Sequence, residues 1–266
     1  MTYLHAALLG IVQGLTEFLP ISSTAHLLLG GLLVGYQDPG GVFTVTIQLG
    51  SVLAVMWLYR ARILAVIRGL PSDPASRRFA LMLVIASIPA AVAGLLLSDF
   101  VKGELYHSPT VIAAAFIAGG VVILAVERLR PAPAVFEADR TPVSRAFAVG
   151  VCQMLALVPG VSRSGATIIG GMLVGLDRPA AAELSFFLAM PALTGAFFHD
   201  VWSVRGHLAP ERGVEIAIGF VMAFLAALVV VRPFLRYVAR SGFAPFAWYR
   251  IVVGLAIFAA IGAGWL

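Results

Sequence analysis

Long apolar runs, such as Phe79 to Leu97 and Val214 to Val231, constrain this chain more than any other feature. A predominantly apolar stretch of about 18 residues or more is long enough to cross a bilayer as a helix. Inside hydrocarbon every backbone N–H and C=O needs an internal partner, so only helices and closed β-barrels can span it. A barrel would show short alternating strands punctuated by turns, and these runs do not. With 61% hydrophobic and 12% charged residues and a mean hydropathy of +0.99, the chain is too apolar for a soluble domain.

Charge and cysteine usage narrow the classes further. The net charge of +5 comes from arginines spread between the apolar segments, with no basic run carrying interleaved aromatics. Nucleic acid is therefore excluded as a partner, and membrane topology accounts for the charges. One cysteine, Cys152, leaves no intramolecular disulfide and no thiolate metal site, and is expected to be a small buried residue. The N-terminus has no basic region or small-residue cleavage site, and Gln13 and Glu17 interrupt its apolar run. The first segment is expected to stay in the mature protein.

Two segments depart from ordinary membrane sequence: Gly10 to His26 (GIVQGLTEFLPISSTAH) and Gly150 to Thr167 (GVCQMLALVPGVSRSGAT). Both begin apolar and break at proline into small hydroxyl residues. At an offset of 140, Gly10 to Gly35 aligns with Gly150 to Gly175 without a gap, and nine of 26 positions are identical. Shared Gln13/Gln153, Ser22/Ser162 and the Gly-Gly-x-Leu-Val-Gly run identify an internal repeat.

The fold expected is an all-α polytopic membrane protein of two inverted-topology repeats, each a re-entrant helical hairpin plus three transmembrane helices. In the first repeat, residues 1–130, the hairpin covers about 4–35 and the spans about 42–59, 79–97 and 110–126. A polar, proline-containing linker with four arginines follows at 131–145 and its approach from Glu127, and is expected in the cytoplasm. The second repeat, 146–266, has its hairpin at about 146–175 and spans at about 181–202, 214–231 and 245–265. Loops holding Arg60, Arg62, Arg68, Arg77 and Arg78, and Arg232, Arg236 and Arg240, are expected on the same cytoplasmic side, and the Asp99 to Glu104 loop outside. An odd number of spans per half makes the second half enter from the opposite face, so the two hairpins can meet near the midplane.

Ionisable groups within such segments are costly unless they face a cavity or a partner, which makes Glu17, His26 and Arg163 functional candidates. Arg163 offers a permanently charged fork matched to phosphate, and Ser162, Ser164 and Thr167 add hydroxyl donors around it. The Pro159-Gly160 break exposes a new helix N-terminus, a second anion-binding feature. The plainer alternative is an interfacial arginine with capping serines.

Gln13 and Glu17, four residues apart, share a helix face, and their oxygens could hold a divalent cation such as Mg²⁺ or Ca²⁺ bridging to a phosphate. Helix-packing hydrogen bonds are the alternative, more so for Gln13. Ser22, Ser23, Thr24 and His26 follow Pro20; Ser23 is a candidate nucleophile, His26 a candidate base, and a cap cluster is the plain alternative. His5, His107, His199 and His207 fall near span ends or in loops. Asp177 suits a helix cap, and Glu183 a supporting position behind the second hairpin.

QGLTEFLPISSTAH and PGVSRSGAT, with IQLGSVLAV between them, resemble the signature segments of the bacitracin-resistance family of undecaprenyl-diphosphatases. The likeness extends over essentially the whole chain in length, span order and motif spacing. It implies a multi-pass enzyme of the bacterial inner (cytoplasmic) membrane that removes the terminal phosphate from undecaprenyl diphosphate. Its site would open to the outer, periplasmic side. The family's catalytic acid, serine and histidine fall on Glu17, Ser23 and His26, its metal-holding pair on Gln13 and Glu17, and its phosphate-holding motif on Ser162, Arg163, Ser164 and Thr167. Ser22 and Thr24 join the substrate-binding set. This chain carries Gln13 where some members have Glu, and Ala25 where Gly is expected. The partners implied are a polyprenyl diphosphate, membrane lipids and a second copy of the chain in a homodimer.

Two chemical routes fit the sequence equally: attack by Ser23, or attack by an activated water with Ser23 as a donor. A transporter or flippase of lipid-linked phosphate is the main alternative, since broken helices in inverted repeats are also transporter architecture. Acid-phosphatase-like membrane enzymes are excluded, because their Lys-x₆-Arg-Pro segment and second-motif histidine are missing.

Overall fold

The computed structural model describes residues 2–36, 38, 41–106, 108–204 and 212–266. Gln37, Pro39 and Gly40 of the expected turn, and His107 and His207, lie outside the described residues, as do the side chains of Asp99 and Lys102. Eleven α-helices make up the described chain, with one isolated β-bridge between Val135 and Leu176.

Two short helices open each set. α1 (Tyr3–Thr16) and α2 (Ser23–Leu33) are joined through Pro20, and α7 (Val143–Gln153) and α8 (Arg163–Leu173) through Pro159-Gly160. α2 and α8 have 11 residues each and begin 140 positions apart, as the aligned sequences do. Their turns match too: Ser22 (φ 68°) and Ser162 (φ 77°) are the only non-glycine residues with positive φ among those described. An L-residue held there is strained, and such strain persists where the surrounding structure enforces it.

The longer helices are α3 (Val42–Leu58), α5 (Pro74–Phe100), α6 (Pro109–Leu129), α9 (Arg178–Val204), α10 (Gly213–Ser241) and α11 (Ala244–Gly262). Five of these are long and apolar enough to cross a membrane alone, and α3 makes a sixth if combined with α4 (Arg60–Gly69), which bends away from it by 73°. On α5, Leu81, Val84, Ile88, Val92 and Leu95 fall on one exposed face at helical spacing, and Val221, Leu225 and Val229 do so on α10. Apolar stripes of this extent suit contact with lipid rather than water. This is a multi-pass membrane architecture.

Elements exchange partners between the halves. α1 packs on α10 and α7 on α5, while α6 pairs with α11 and α3 with α9. Both hairpin contacts are made by glycine: a Cβ at Gly10 would lie 2.3 Å from the Gly219 carbonyl oxygen, and one at Gly150 would lie 2.0 Å from that of Ala86. Helices in lipid associate through such close backbone approach, since hydrocarbon offers no hydrophobic drive between them.

Two expected loops and one expected burial differ in the structure. Arg60 to Gly69 forms α4 instead of loop, and Arg232, Arg236 and Arg240 lie on α10, which continues through Pro233 to Ser241. Buried Phe234 and Val238 explain that continuation, because packing persists beyond the apolar run. The 131–145 linker packs against the end of the second hairpin. Ala134 and Val135 donate to the Gly175 carbonyl at 2.8 and 3.0 Å, and Val135, Ala138 and Thr141 are buried. Cys152 is half-buried instead of buried.

Candidate active site

The two proline-broken turns meet at Glu17. This residue caps the end of α1, its N–H still bonded to the Gln13 carbonyl at 3.0 Å, so Gln13 and Glu17 are stacked one turn apart as their spacing requires. Three donors converge on a carboxylate that is 5% exposed. Ser23 Oγ donates to Oε2 at 2.6 Å, Gln13 Nε2 donates to Oε2 at 2.8 Å, and Arg163 Nη2 donates to Oε1 at 3.3 Å. Each half therefore supplies one member of a buried ion pair.

Arg163 and Ser23 both open their helices, immediately after the strained serines. The positive φ of Ser22 and Ser162 turns the chain sharply enough to bring these helix starts against Glu17. Ser162 Oγ caps α8 by accepting from Gly165 N–H at 3.1 Å and lies 3.0 Å from Ser164 Oγ. Ser22 makes no side-chain cap, which leaves the first turn of α2 with backbone N–H groups suited to an anion. Thr24, in that turn, is half-buried.

The second hairpin is braced from behind. Ser164 Oγ donates to the Leu19 carbonyl at 2.7 Å, tying the two breaks together. Thr167 Oγ1 donates to Ser185 Oγ at 2.7 Å, and the Ser185 carbonyl accepts from Arg163 Nη1 at 3.1 Å. The Arg163 Nε, buried and lacking a hydrogen-bond partner, is a donor still to be satisfied. An anionic ligand fits that need.

His26 is held elsewhere than a serine–histidine pair requires. Its Nδ1 lies 2.8 Å from the Ser22 carbonyl and must donate to it, and its Nε2 lies 2.7 Å from Tyr249 Oη. The Tyr249 ring stacks on the imidazole with centroids 5.7 Å apart. Ser23 thus has the Glu17 carboxylate, not the imidazole, as its proton acceptor. Sequence adjacency suggested the other pairing because Ser23 and His26 share the first turn of α2, whereas the tertiary fold points them to different partners.

Glu183 does not reach this centre. It joins Arg62, at 3.4 Å, and Arg62 also bonds Asp139 at 2.6 Å, so the group fastens α4 and the docked 131–145 segment to α9. Asp177 caps α9 by accepting from Ala180 N–H at 2.8 Å.

Two residues had no motif to announce them. Ser185 is one. Arg250 is the other: wholly buried in α11, it donates to the carbonyls of Pro20 and Val161 at 3.0 and 2.8 Å, of Gly160 and Ala115 at 2.9 Å each, and of Phe116 at 3.3 Å. All its donors are used, and it clamps both broken turns to α6. An arginine in an apolar run was its only signal, and it lies 87 residues from Arg163 in sequence.

Among the described residues no three His, Cys, Asp or Glu side chains cluster as a metal site. One carboxylate and one amide oxygen remain as oxygen donors, and the Gln13 Oε1 is buried without a partner. That orphaned oxygen beside Glu17 fits a hard cation that takes its other ligands from phosphate and water.

The family model of the bacitracin resistance protein BacA matches residues 6–256. The chain is 48% identical to the undecaprenyl-diphosphatase of Paracoccus denitrificans, over 98% of this chain and 97% of that one. It is 48% identical to that of Cereibacter sphaeroides (strain ATCC 17029 / ATH 2.4.9), over 99% and 98%, and 47% identical to undecaprenyl-diphosphatase 1 of Agrobacterium fabrum, over 94% of each. With a full-length match and a buried acid, hydroxyl and arginine brought together from both signature segments, this chain belongs to the BacA bacitracin resistance family.

Proposed function

We propose that the chain is an integral-membrane undecaprenyl-diphosphatase whose chemistry is carried out by Glu17, Ser23 and Arg163. It hydrolyses undecaprenyl diphosphate to undecaprenyl phosphate and inorganic phosphate, recycling the lipid carrier for cell-wall synthesis and conferring bacitracin resistance. The observation that carries the residue assignment is the Ser23 hydroxyl at 2.6 Å from a carboxylate that also pairs with Arg163.

Arg163, with its unsatisfied Nε, and the first turn of α2 hold the terminal phosphate. Ser23 Oγ attacks the terminal phosphorus as its proton passes to Glu17, and the bond to the bridging oxygen breaks, releasing undecaprenyl phosphate. Glu17 hands that proton to the departing lipid phosphate, then takes a proton from the water that attacks the phosphoserine and returns it to Ser23 Oγ as the phosphoserine P–O bond breaks and inorganic phosphate leaves. His26, its Nδ1–H given to the Ser22 carbonyl and its Nε2 held by Tyr249, fixes the first turn of α2. Gln13 and Glu17 would hold Mg²⁺ or Ca²⁺, which when bound offsets the charge of the diphosphate.

The matched turns and their exchanged packing partners support an inverted repeat around a site near the midplane. The arginine distribution supports a cytoplasmic side for the basic helix ends, and the family likeness supports a site that opens to the periplasmic side of the bacterial inner membrane. A transporter is disfavoured, because a hydroxyl hydrogen-bonded to a buried carboxylate supplies a nucleophile that transport has no need of.

Phosphate release from undecaprenyl diphosphate by purified protein, beside Glu17→Ala and Arg163→Ala, tests the site: full activity in both variants refutes it. Acid-quench trapping of a phosphoserine at Ser23 separates serine attack from direct attack by water, for which no phosphoserine forms.

A further inference from the structure

A second feature adjoins the catalytic centre. A cavity of about 410 Å³ opens between the first break and the α10–α11 pair, lined by Leu19, Ile21, Tyr237, Pro245, Phe246 and Tyr249. Its size falls within the roughly 300–1,000 Å³ of small-ligand pockets. Its walls are apolar apart from two phenol hydroxyls, and that of Tyr249 is turned to His26. Leu19 and Ile21 flank Pro20, next to the turn that presents Ser23, and the Leu19 carbonyl accepts from Ser164. The cavity thus lies beside the turn that leads to Ser23, and Tyr249 and Tyr237 on its wall are 43% and 42% exposed.

The position in the fold explains what such a cavity is for. Arg250 fastens the breaks to the carbonyls of Ala115 and Phe116, well inside α6. A diphosphate held at that depth cannot leave its hydrocarbon tail in the polar centre, where the tail would displace partners of buried polar groups. The tail needs an apolar lateral exit beginning next to Ser23.

We propose that the groove between Leu19, Ile21 and the α10–α11 pair holds the isoprenoid tail of the substrate, with Tyr237 and Phe246 as its selectivity-determining walls. This rests on the phosphatase reading and adds the tail site to it. An ordinary phospholipid acyl chain is the competing occupant. The tail of a bound substrate has the advantage, because its head is already anchored alongside and its effective concentration at the groove is high.

Steady-state hydrolysis of undecaprenyl diphosphate and of dimethylallyl diphosphate, a head-group probe with almost no tail, tests the assignment in Phe246→Ala and Tyr237→Trp. The expected result is a KM for undecaprenyl diphosphate raised roughly tenfold in Phe246→Ala, the scale of one lost large apolar contact, and raised also in Tyr237→Trp, whose added bulk narrows the groove. The kcat for that substrate and the hydrolysis of the short probe stay unchanged. An equal change for both substrates, or for neither, overturns the proposal.

Because these substitutions also touch helix packing, a benzophenone-tagged prenyl diphosphate crosslinked to wild-type protein supplies a second readout. Adducts at residues 19–21 or 237–249, displaced by undecaprenyl phosphate and not by phosphatidylglycerol, support the groove. Adducts elsewhere, or equal displacement by phosphatidylglycerol, overturn it. Wild-type protein that releases phosphate from neither substrate refutes the phosphatase reading instead, and the crosslinks still report the tail.

Discussion

Glu17→Gln is the most discriminating perturbation of the proposed chemistry. The amide keeps the size of the carboxylate and can still accept from Ser23, but it can no longer take the serine proton or balance Arg163. General-base catalysis contributes about 10²–10⁴-fold, which sets the expected fall in kcat. A second effect acts on stability: the Arg163 and Glu17 side chains are 12% and 4% exposed, so removing one charge strands the other. Breaking a buried pair in this way costs about 3–5 kcal/mol, reduced here because Arg163 keeps its bond to the Ser185 carbonyl. The assay is phosphate release from undecaprenyl diphosphate in nanodiscs, with kcat and KM separated and a thermal unfolding curve recorded on the same preparation. A variant that stays folded and loses kcat at nearly constant KM supports proton transfer by Glu17. Retention of more than about a tenth of kcat refutes it, since general-base loss alone predicts at least a hundredfold fall.

Other expectations follow from neighbouring contacts. Arg163→Lys keeps the charge but loses the fork that reaches Ser185 and Glu17 together, so kcat/KM should fall at least about a hundredfold, the cost of losing one preorganised donor to the transition state. Arg250→Met leaves buried carbonyls of both breaks unsatisfied and should destabilise the protein by more than about 4 kcal/mol, seen as loss of the monodisperse peak on gel filtration in detergent. Gly150→Val places a side chain where a Cβ already meets the Ala86 carbonyl at 2.0 Å, and should cost about 1–3 kcal/mol in thermal unfolding, more than the same change at Gly213, where the added Cβ meets nothing.

Membrane segments were legible because a bilayer imposes a minimum apolar length, and helix existence depends on little else there. Their ends were not: α10 runs on to Ser241 because Phe234 and Val238 are buried by tertiary neighbours, and α4 forms from a stretch that reads only as a basic loop. Within the site, the Gln13–Glu17 face was readable from helical period alone, and the repeat correctly paired Ser22 with Ser162. That both serines adopt positive φ is a property of the folded turns that no residue type announced.

The sequence by itself determined which residues carry charge and hydroxyls into the membrane, because placing Glu17, Ser23 and Arg163 among apolar neighbours is too costly to be incidental. Only the tertiary structure decided who meets whom. Contacts across 146 residues, as between Glu17 and Arg163, leave no periodicity in the chain, and those across 223, as between His26 and Tyr249, leave none either. Ser23 consequently faces a carboxylate where its nearest titratable neighbour along α2 is a histidine, and Arg250, an unremarked arginine in the last helix, holds both broken turns in place.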